Sequence, residues 1–466
     1  MKVELYTGDI PSVFERFSDL IGAQHWKKRV DLLKIDIKGN KLLREHLLQE
    51  NEFAFGLQAA TELTKKYGRL PLHQMDISPL YPSMAFAAQI LSIAETSAGP
   101  QRAQLVRRVH GALKNPDDLR GMRLELTAAT HFLRRGLEVQ WPEVIGGGTM
   151  DLVIPGLGPQ GLEVECKSIS DDKGRKIPKR EALDFCALVA PRLNDLGKGL
   201  KVGVAAVLTL DGRMPGNFME RRKLAESVVR HVLSGAVNCQ LEGANLRIHE
   251  FDPALLGEVG GDGNPVISRD RVDAITGTTN RQALIVGRKS GGAIVLVLQS
   301  AQDDSLLTYT FDTLSRAAKR QLSGQRAGMF LAGLDGLEAA SLMDLAQQDG
   351  AGDQPPTALR VRVSEFLASH GRDHVIGVGF ISKGGLRPAA GGVTDSGGSA
   401  YVFPKRESPF WHDDFAGLDV EAAVDPVLDQ ADVLAEQFGH TLGDRCEGIF
   451  LLEFAFRRAA EMGGDH

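Results

Sequence analysis

The chain predicts an α/β protein: a helical N-terminal region, a mixed-sheet core flanked by helices, and a second α/β region at the C-terminus. Three observations lead there. Apolar residues at helical spacing dominate the first ~110 residues. Strand-like apolar runs then alternate with amphipathic helices to about residue 250. The same alternation resumes beyond a glycine-rich break at Gly257–Pro265, which contains Gly260, Gly261 and Gly263 and suits neither element. These breaks divide the chain into residues 1–110, 111–258 and 259–466.

In the first region, Phe14–Ile21 and Phe53–Ala60 carry the helical spacing, interrupted by turns around Pro71, Pro79 and Pro82. Asn115-Pro116-Asp117-Asp118 is a helix start: Asn115 caps, Pro116 fits the first turn, and the two acids favour a helix N-terminus. That helix runs to about Arg135 and stops at Gly136. A short strand is expected over Leu137–Trp141, then a Gly146–Gly148 turn, a strand from Asp151 and a strand over Leu162–Ser168. A helix over Lys179–Leu196, a strand from Val202, a charged helix to about Leu233 and a strand over Leu246–His249 complete the middle region.

Beyond the break come a strand over Ile294–Leu298, a helix over Thr313–Leu322, strands over Met329–Ala332 and Val375–Phe380, and an apolar helix around Ile449–Phe456. Gln347–Thr357 and Gly384–Ala400 read as loops. Strand, basic helix and strand recur over Glu163–Val207 and Ile294–Ala332, which suggests a degenerate duplication only weakly, since βαβ arrangements are common and Gln299 and Ser300 stand where a metal-binding strand would want a carboxylate and a lysine.

Composition narrows the class. The 466 residues are 43% hydrophobic and 24% charged, ordinary for a globular protein with a large core. No run of 18 apolar residues occurs and Met1–Leu5 lacks an export pattern, so no membrane segment and a cytoplasmic location are expected. Cys166, Cys186, Cys239 and Cys446 are too scattered for a zinc site or a disulfide framework. A net charge of -6 argues against coating nucleic acid by bulk electrostatics, though a local basic groove remains compatible with it.

The chemistry gathers in Leu162-Glu163-Val164-Glu165-Cys166-Lys167. Strand alternation puts Leu162, Val164 and Cys166 on one face and Glu163, Glu165 and Lys167 on the other. Charge in a strand covered on both sides is costly unless solvent or an ion compensates it. Asp151 lies fourteen positions before Glu165, and a hairpin turning at Pro155–Gln160 brings the two carboxylates together. Two acids without histidine or cysteine suit a hard cation such as Mg²⁺, which keeps waters and takes substrate phosphate.

Asp, then Glu-x-Lys on the next strand, with a Glu on the helix before, is similar to the PD-(D/E)xK nuclease superfamily and its restriction-endonuclease-like fold. The resemblance covers roughly residues 115–250. It implies a metal-dependent phosphodiesterase, more an endonuclease than an exonuclease. Asp151, Glu165 and Lys167 match the motif, and Glu125 matches the helix glutamate that often completes the metal site. Asp151, Glu165 and Glu125 would hold Mg²⁺ or Mn²⁺, with Lys167 acting on water or on transition-state charge. The proline of the motif is replaced by Thr149-Met150, a departure common in the family. DNA is favoured over RNA as partner, in restriction or anti-phage defence. A homodimer, or a partner protein on the C-terminal region, is compatible with cutting both strands. An RNA- or structure-specific nuclease, or a non-catalytic binding protein with the same fold, are the alternatives.

Lys173, Arg175, Lys176, Lys179 and Arg180 follow the reactive strand and are candidates for phosphate contact, against the alternative of a solvated charge run. Glu163 reads as a solvated strand-edge charge and Cys166 as core packing. Arg221, Arg222 and Lys223, and the set Arg316, Lys319, Arg320 and Arg326, read as exposed helix faces. His370 and His374 fall in a loop, and Trp411–Asp414 in a capped turn, rather than in metal sites.

Overall fold

The structure, a computed structural model, describes residues 1, 4–72, 78–142, 149–197, 199–256, 269–278, 282–287, 292–335, 339–351, 354–382, 386–389, 392–395, 400–418 and 449–453. It is a mixed α/β protein. Its strands are β1 (Glu4–Tyr6), β2 (Leu152–Ile154), β3 (Leu162–Ile169), β4 (Gly203–Leu210), β5 (Asn238–Leu241), β6 (Ala244–Phe251), β7 (Gln282–Gly287), β8 (Ala293–Ser300), β9 (Gly328–Leu334), β10 (Val375–Ile381), β11 (Leu386–Ala389), β12 (Gly392–Asp395), β13 (Ala400–Pro404) and β14 (Ile449–Glu453). Among the described residues they form a five-stranded sheet ordered β13-β10-β9-β3-β2, a six-stranded sheet ordered β14-β7-β8-β4-β6-β5, and a small sheet ordered β1-β12-β11.

The N-terminal region is helical as expected, with helices over Ile10–Ile21, Gln24–Gly39, Arg44–Glu50, Glu52–Tyr67, Tyr81–Thr96 and Gly99–Ala112. Their apolar faces, among them Phe17, Trp26, Leu57 and Met84, enclose one core. The next helix, Pro116–Arg134, starts where the sequence places it, with the Asn115 side chain accepting from the Asp117 amide. It has two apolar stripes. Leu119, Met122 and Leu126 join the N-terminal core, whereas Leu124, Ala128 and Phe132 pack on Leu162, Val164 and Cys166 of β3. One helix thus welds the helical region to the five-stranded sheet.

The chain leaves that sheet after β3 and returns only at β9. Helix Lys179–Gly197 leads from β3 into β4 of the six-stranded sheet, and helix Leu306–Arg320 leads from β8 back to β9, parallel to β3. Each strand–helix–strand stretch therefore crosses between sheets rather than building one. The outgoing and returning segments are tied together: the Ser305 amide donates to the Gly174 carbonyl at 2.9 Å, and the Lys176 amide to Asp304 Oδ1 at 2.8 Å. Gly174 has φ +75°, and a Cβ there would lie 2.7 Å from the Ser305 carbonyl carbon, so this crossing requires glycine.

Several expectations are corrected. The expected middle and C-terminal regions are not separate units, because each of the two larger sheets draws strands from both sides of residue 258. Residues 257–265 and 146–148 lie outside the described residues. Leu137–Trp141 makes only a bridge, Gln140 to Val153. The expected helix at Ile449 is strand β14, antiparallel to β7, because a short apolar run fits a strand as well as a helix and here finds a pairing edge. Gly384–Ala400 contains β11 and β12, and helix Ala339–Gly350 enters the expected loop at Gln347. No described helix is long and apolar enough to cross a membrane.

Candidate active site

The antiparallel register Leu152↔Val164 sets Asp151 across from Glu165, as the hairpin argument requires. Asp151 Oδ2 accepts from the Cys166 amide at 2.7 Å, which fixes the carboxylate against the strand. The Glu165 side chain is fully buried, and Lys167 Nζ donates to its Oε1. Its other oxygen, Oε2, is buried without a hydrogen-bond partner. Lys167 is about a fifth exposed and forms the open side of the pair.

Burial pushes the Glu165 carboxyl up to about 8, with the nearby Asp151 carboxylate adding to it, Lys167 opposing and Glu125 contributing a further rise. Burial works against the charge on Lys167, but Glu165 and Asp151 outweigh it and its pKa is raised. The pair thus keeps its protons at neutral pH, and a cation entering the site would displace one. Burial also pushes the Cys166 thiol well up, which suits core packing and not reactivity.

Glu125, on the Pro116–Arg134 helix, lies close enough to influence Glu165 yet is engaged elsewhere. Both of its oxygens accept from Arg108 Nη2, at 2.8 and 3.0 Å. The sequence did not point to Arg108: it lies seventeen residues before Glu125, on the Gly99–Ala112 helix, and belongs to no motif. Only the pairing of the two helices brings it in.

Among the described residues no group of three or more His, Cys, Asp or Glu is arranged to hold a metal. The pair Asp151 and Glu165, with the unpartnered Oε2, nevertheless fits a hard cation completed by waters and substrate oxygens.

Glu163, expected as a solvated strand-edge charge, lies inside the protein. It is fully buried, accepting from the Ser323 amide at 2.8 Å and pairing with Arg326 at 3.3 Å. It anchors the turn before β9 and is no solvated edge charge. Arg326 accordingly lies beyond the end of helix Leu306–Arg320.

The basic set is not one surface. Arg175 is buried against Asp171 at 2.7 Å and Asp172 at 3.7 Å, and Lys179 is buried with its Nζ 3.4 Å from Gln49 Oε1. Both are internal charges. Lys173 and Arg180 are surface residues, paired with Asp117 at 3.6 Å and Asp36 at 3.0 Å; Lys176 is half-buried and gives its amide to Asp304. Arg222 makes an ordinary exposed pair with Glu226, while Arg221 packs toward Asp184. His370 and His374 occupy the turn before β10, and Asp413–Leu418 is a short 3₁₀ helix.

Comparison of the chain with protein-family profiles, with characterised proteins and with solved structures finds no match.

Proposed function

We propose that this protein is a metal-dependent nuclease that hydrolyses phosphodiester bonds in DNA, acting as an endonuclease in restriction or anti-phage defence. The observation that carries the reading is the buried Glu165 Oε2 without a partner, set beside Asp151 and Lys167. Leaving a buried acceptor unsatisfied costs about 1–3 kcal/mol, a cost that a bound ligand would recover. The order of helix with Glu125, β2 preceded by Asp151 and β3 with Glu165-Cys166-Lys167 supports a restriction-endonuclease-like core. In this reading the segment from Ser170 to Ser305 is a large insertion between β3 and its parallel neighbour β9.

Asp151 and Glu165 would hold Mg²⁺ or Mn²⁺, which when bound polarises the phosphoryl oxygen and supplies a water nucleophile at neutral pH. The Cys166 amide keeps Asp151 oriented toward the site. Lys167 donates to Glu165 Oε1 before loading and, from the open side, would orient water or offset charge developing on the phosphate. Of the basic set, Lys173 and Arg180 lie at the surface, paired with Asp117 and Asp36, and would be the candidates for contact with a phosphate backbone.

The test is cleavage of supercoiled plasmid, linear duplex, single-stranded DNA and RNA with Mg²⁺ or Mn²⁺, comparing wild type with Lys167→Ala. Metal-dependent nicking that drops at least roughly a hundredfold in the variant supports the reading. Equal cutting by both proteins removes the site from the reaction. RNA cut in preference to DNA would keep the chemistry and change the substrate. Absence of cutting with metal still bound would favour a non-catalytic nucleic-acid-binding protein.

A further inference from the structure

Helix Leu306–Arg320 buries one side, with Phe311, Leu314 and Ala318, among Ile169 of β3 and Phe330 and Ala332 of β9. Its outer side carries Arg316, Lys319 and Arg320, all exposed, at spacings of three and four that share a helix face. Arg316 donates to the Asp312 carbonyl at 3.4 Å and to Thr313 Oγ1 at 3.2 Å, both neutral acceptors. Among the described residues no carboxylate pairs with Lys319 or Arg320, and Asp312 is the only acid of the helix. Lys173 and Arg180 differ, since each already faces a carboxylate, Asp117 and Asp36. Cations in a last turn complement the helix dipole, which accounts for Lys319 and Arg320 but not for Arg316, a turn earlier.

The turn after this helix fixes the basic face beside the site. Thr149 Oγ1 donates to the Gln321 carbonyl at 2.9 Å, the Ser323 amide donates to Glu163 Oε2 at 2.8 Å, and Arg326 Nε lies 3.3 Å from Glu163 Oε1. Thr149 stands two residues before Asp151 and Glu163 two residues before Glu165, about 6–7 Å along each extended chain. Both carboxylate-bearing segments are thus bonded to one turn. Arg372, just before β10, donates to Ser315 Oγ at 2.9 Å, so Ser315 marks the side of the helix toward β10. Arg320 lies about 140° round the helix from Ser315. With Leu314 turned to the sheet, that places Arg320 on the side toward β3 and β2.

We propose that Arg316, Lys319 and Arg320 form the surface on which the phosphate backbone of a DNA duplex lies as it meets the Asp151 and Glu165 centre. The inference rests on the nuclease reading above. A chain with a net charge of -6 holds a polyanion only through a local basic patch, and here the uncompensated cations lie on the helix whose end is bonded to both site strands. Such contacts set the position of the backbone and carry no sequence information. Arg326 has a separate role: it anchors Glu163 and holds the turn in place.

The experiment is fluorescence anisotropy of a labelled DNA duplex against the full-length chain over a salt series, in EDTA and with Ca²⁺ in place of Mg²⁺, so that binding is read apart from cutting. Wild type is compared with the triple variant Arg316→Gln, Lys319→Gln, Arg320→Gln. A control variant, Lys27→Gln, Lys28→Gln, Lys38→Gln, removes three exposed cations from helix Gln24–Gly39. Losing three phosphate contacts is expected to weaken binding roughly tenfold or more and to lower the slope of log affinity against log salt by about 2–3. The control is expected to stay within about twofold of wild type, since charges away from the contact are screened. An equal loss in both variants assigns the effect to bulk charge and overturns the proposal. Unchanged affinity and slope in the triple variant, with wild type cutting DNA, overturn this proposal and leave the nuclease reading standing. Wild type that binds no duplex, or binds RNA alone, also overturns it, and the plasmid assay judges the nuclease reading separately. In that assay the triple variant is expected to raise KM with kcat within about twofold, because a backbone contact holds ground and transition states alike. If the triple variant does not fold, Arg320→Gln alone is expected to lower the salt slope by about 1, and an unchanged slope overturns the proposal.

Discussion

His46 and His131 are held without their protons. Burial lowers both to about 4; the Lys179, Arg180 and Arg120 charges add to it at His46, and Arg135 and Arg134 at His131. An unfolded histidine protonates near 6.5, so between about 6.5 and 4 the unfolded chain binds more protons than the folded one. The contribution of these residues is present above 6.5 and lost as pH falls through the folded value. The melting temperature is therefore expected to drop across that window, and His46→Gln is expected to flatten the drop; a slope unchanged in the variant would show that His46 is not involved. The same neighbourhood explains why part of the basic run was misleading in the sequence. Lys179 and Arg175 lie inside, with Asp171, Asp172 and Gln49 as partners, and four of the five residues in the run meet a carboxylate or amide from another segment or turn. Asp151, Glu165 and Lys167 were legible because a hairpin and strand alternation are local rules. Arg108 and the burial of Glu163 depend on contacts between distant segments, to which local periodicity is blind.

At the scale of elements, the two crossings between sheets are the most constrained feature. Gly174 combines a positive φ with a close approach to Ser305, so Gly174→Ala strains the backbone and pushes the paired segments apart. A loss of about 1–3 kcal/mol is expected in urea unfolding, together with weaker metal binding, since the Ser170–Lys176 segment continues directly from β3. A stable variant with unchanged metal binding would show that the crossing is free to move relative to the site. The sequence identified the helix Pro116–Arg134, β3, β4, β8, β9 and β10, whose caps or apolar runs are strong. It missed β5 and β7, and it misread β14, where an apolar run fits a buried helix and a sheet strand equally well without its pairing partner.

At the scale of the whole molecule, the order of strands predicts which pieces cannot stand alone. A fragment ending at residue 258 keeps β2 and β3 but loses β9, so the edge of β3 from Glu163 to Ile169 is stripped of its parallel partner. The same cut removes β8 from β4, exposing the edge of a strand paired with it along Gly203–Leu210. Val295, Leu296 and Val297, which pack against the helices and strands on either side of β8, are lost as well. Two unpaired apolar edges favour association over folding, and the apolar area removed exceeds what a marginally stable domain can spare. The fragment 1–258 is therefore expected to be insoluble or to show no cooperative urea transition, whereas the full chain gives a cooperative one. Trp26 and Trp141 pack in the N-terminal and five-stranded-sheet cores, so their fluorescence reports the half of the molecule that contains the site. If the fragment unfolds cooperatively by that signal and binds Mn²⁺ like the full chain, β9 is not needed to build the site, and the insertion between β3 and β9 loses its structural meaning. If it does not, the centre at Asp151 and Glu165 requires residues from both sides of the insertion, and a smaller unit carrying that centre would have to join β3 to β9 by a short link in place of the six-stranded sheet.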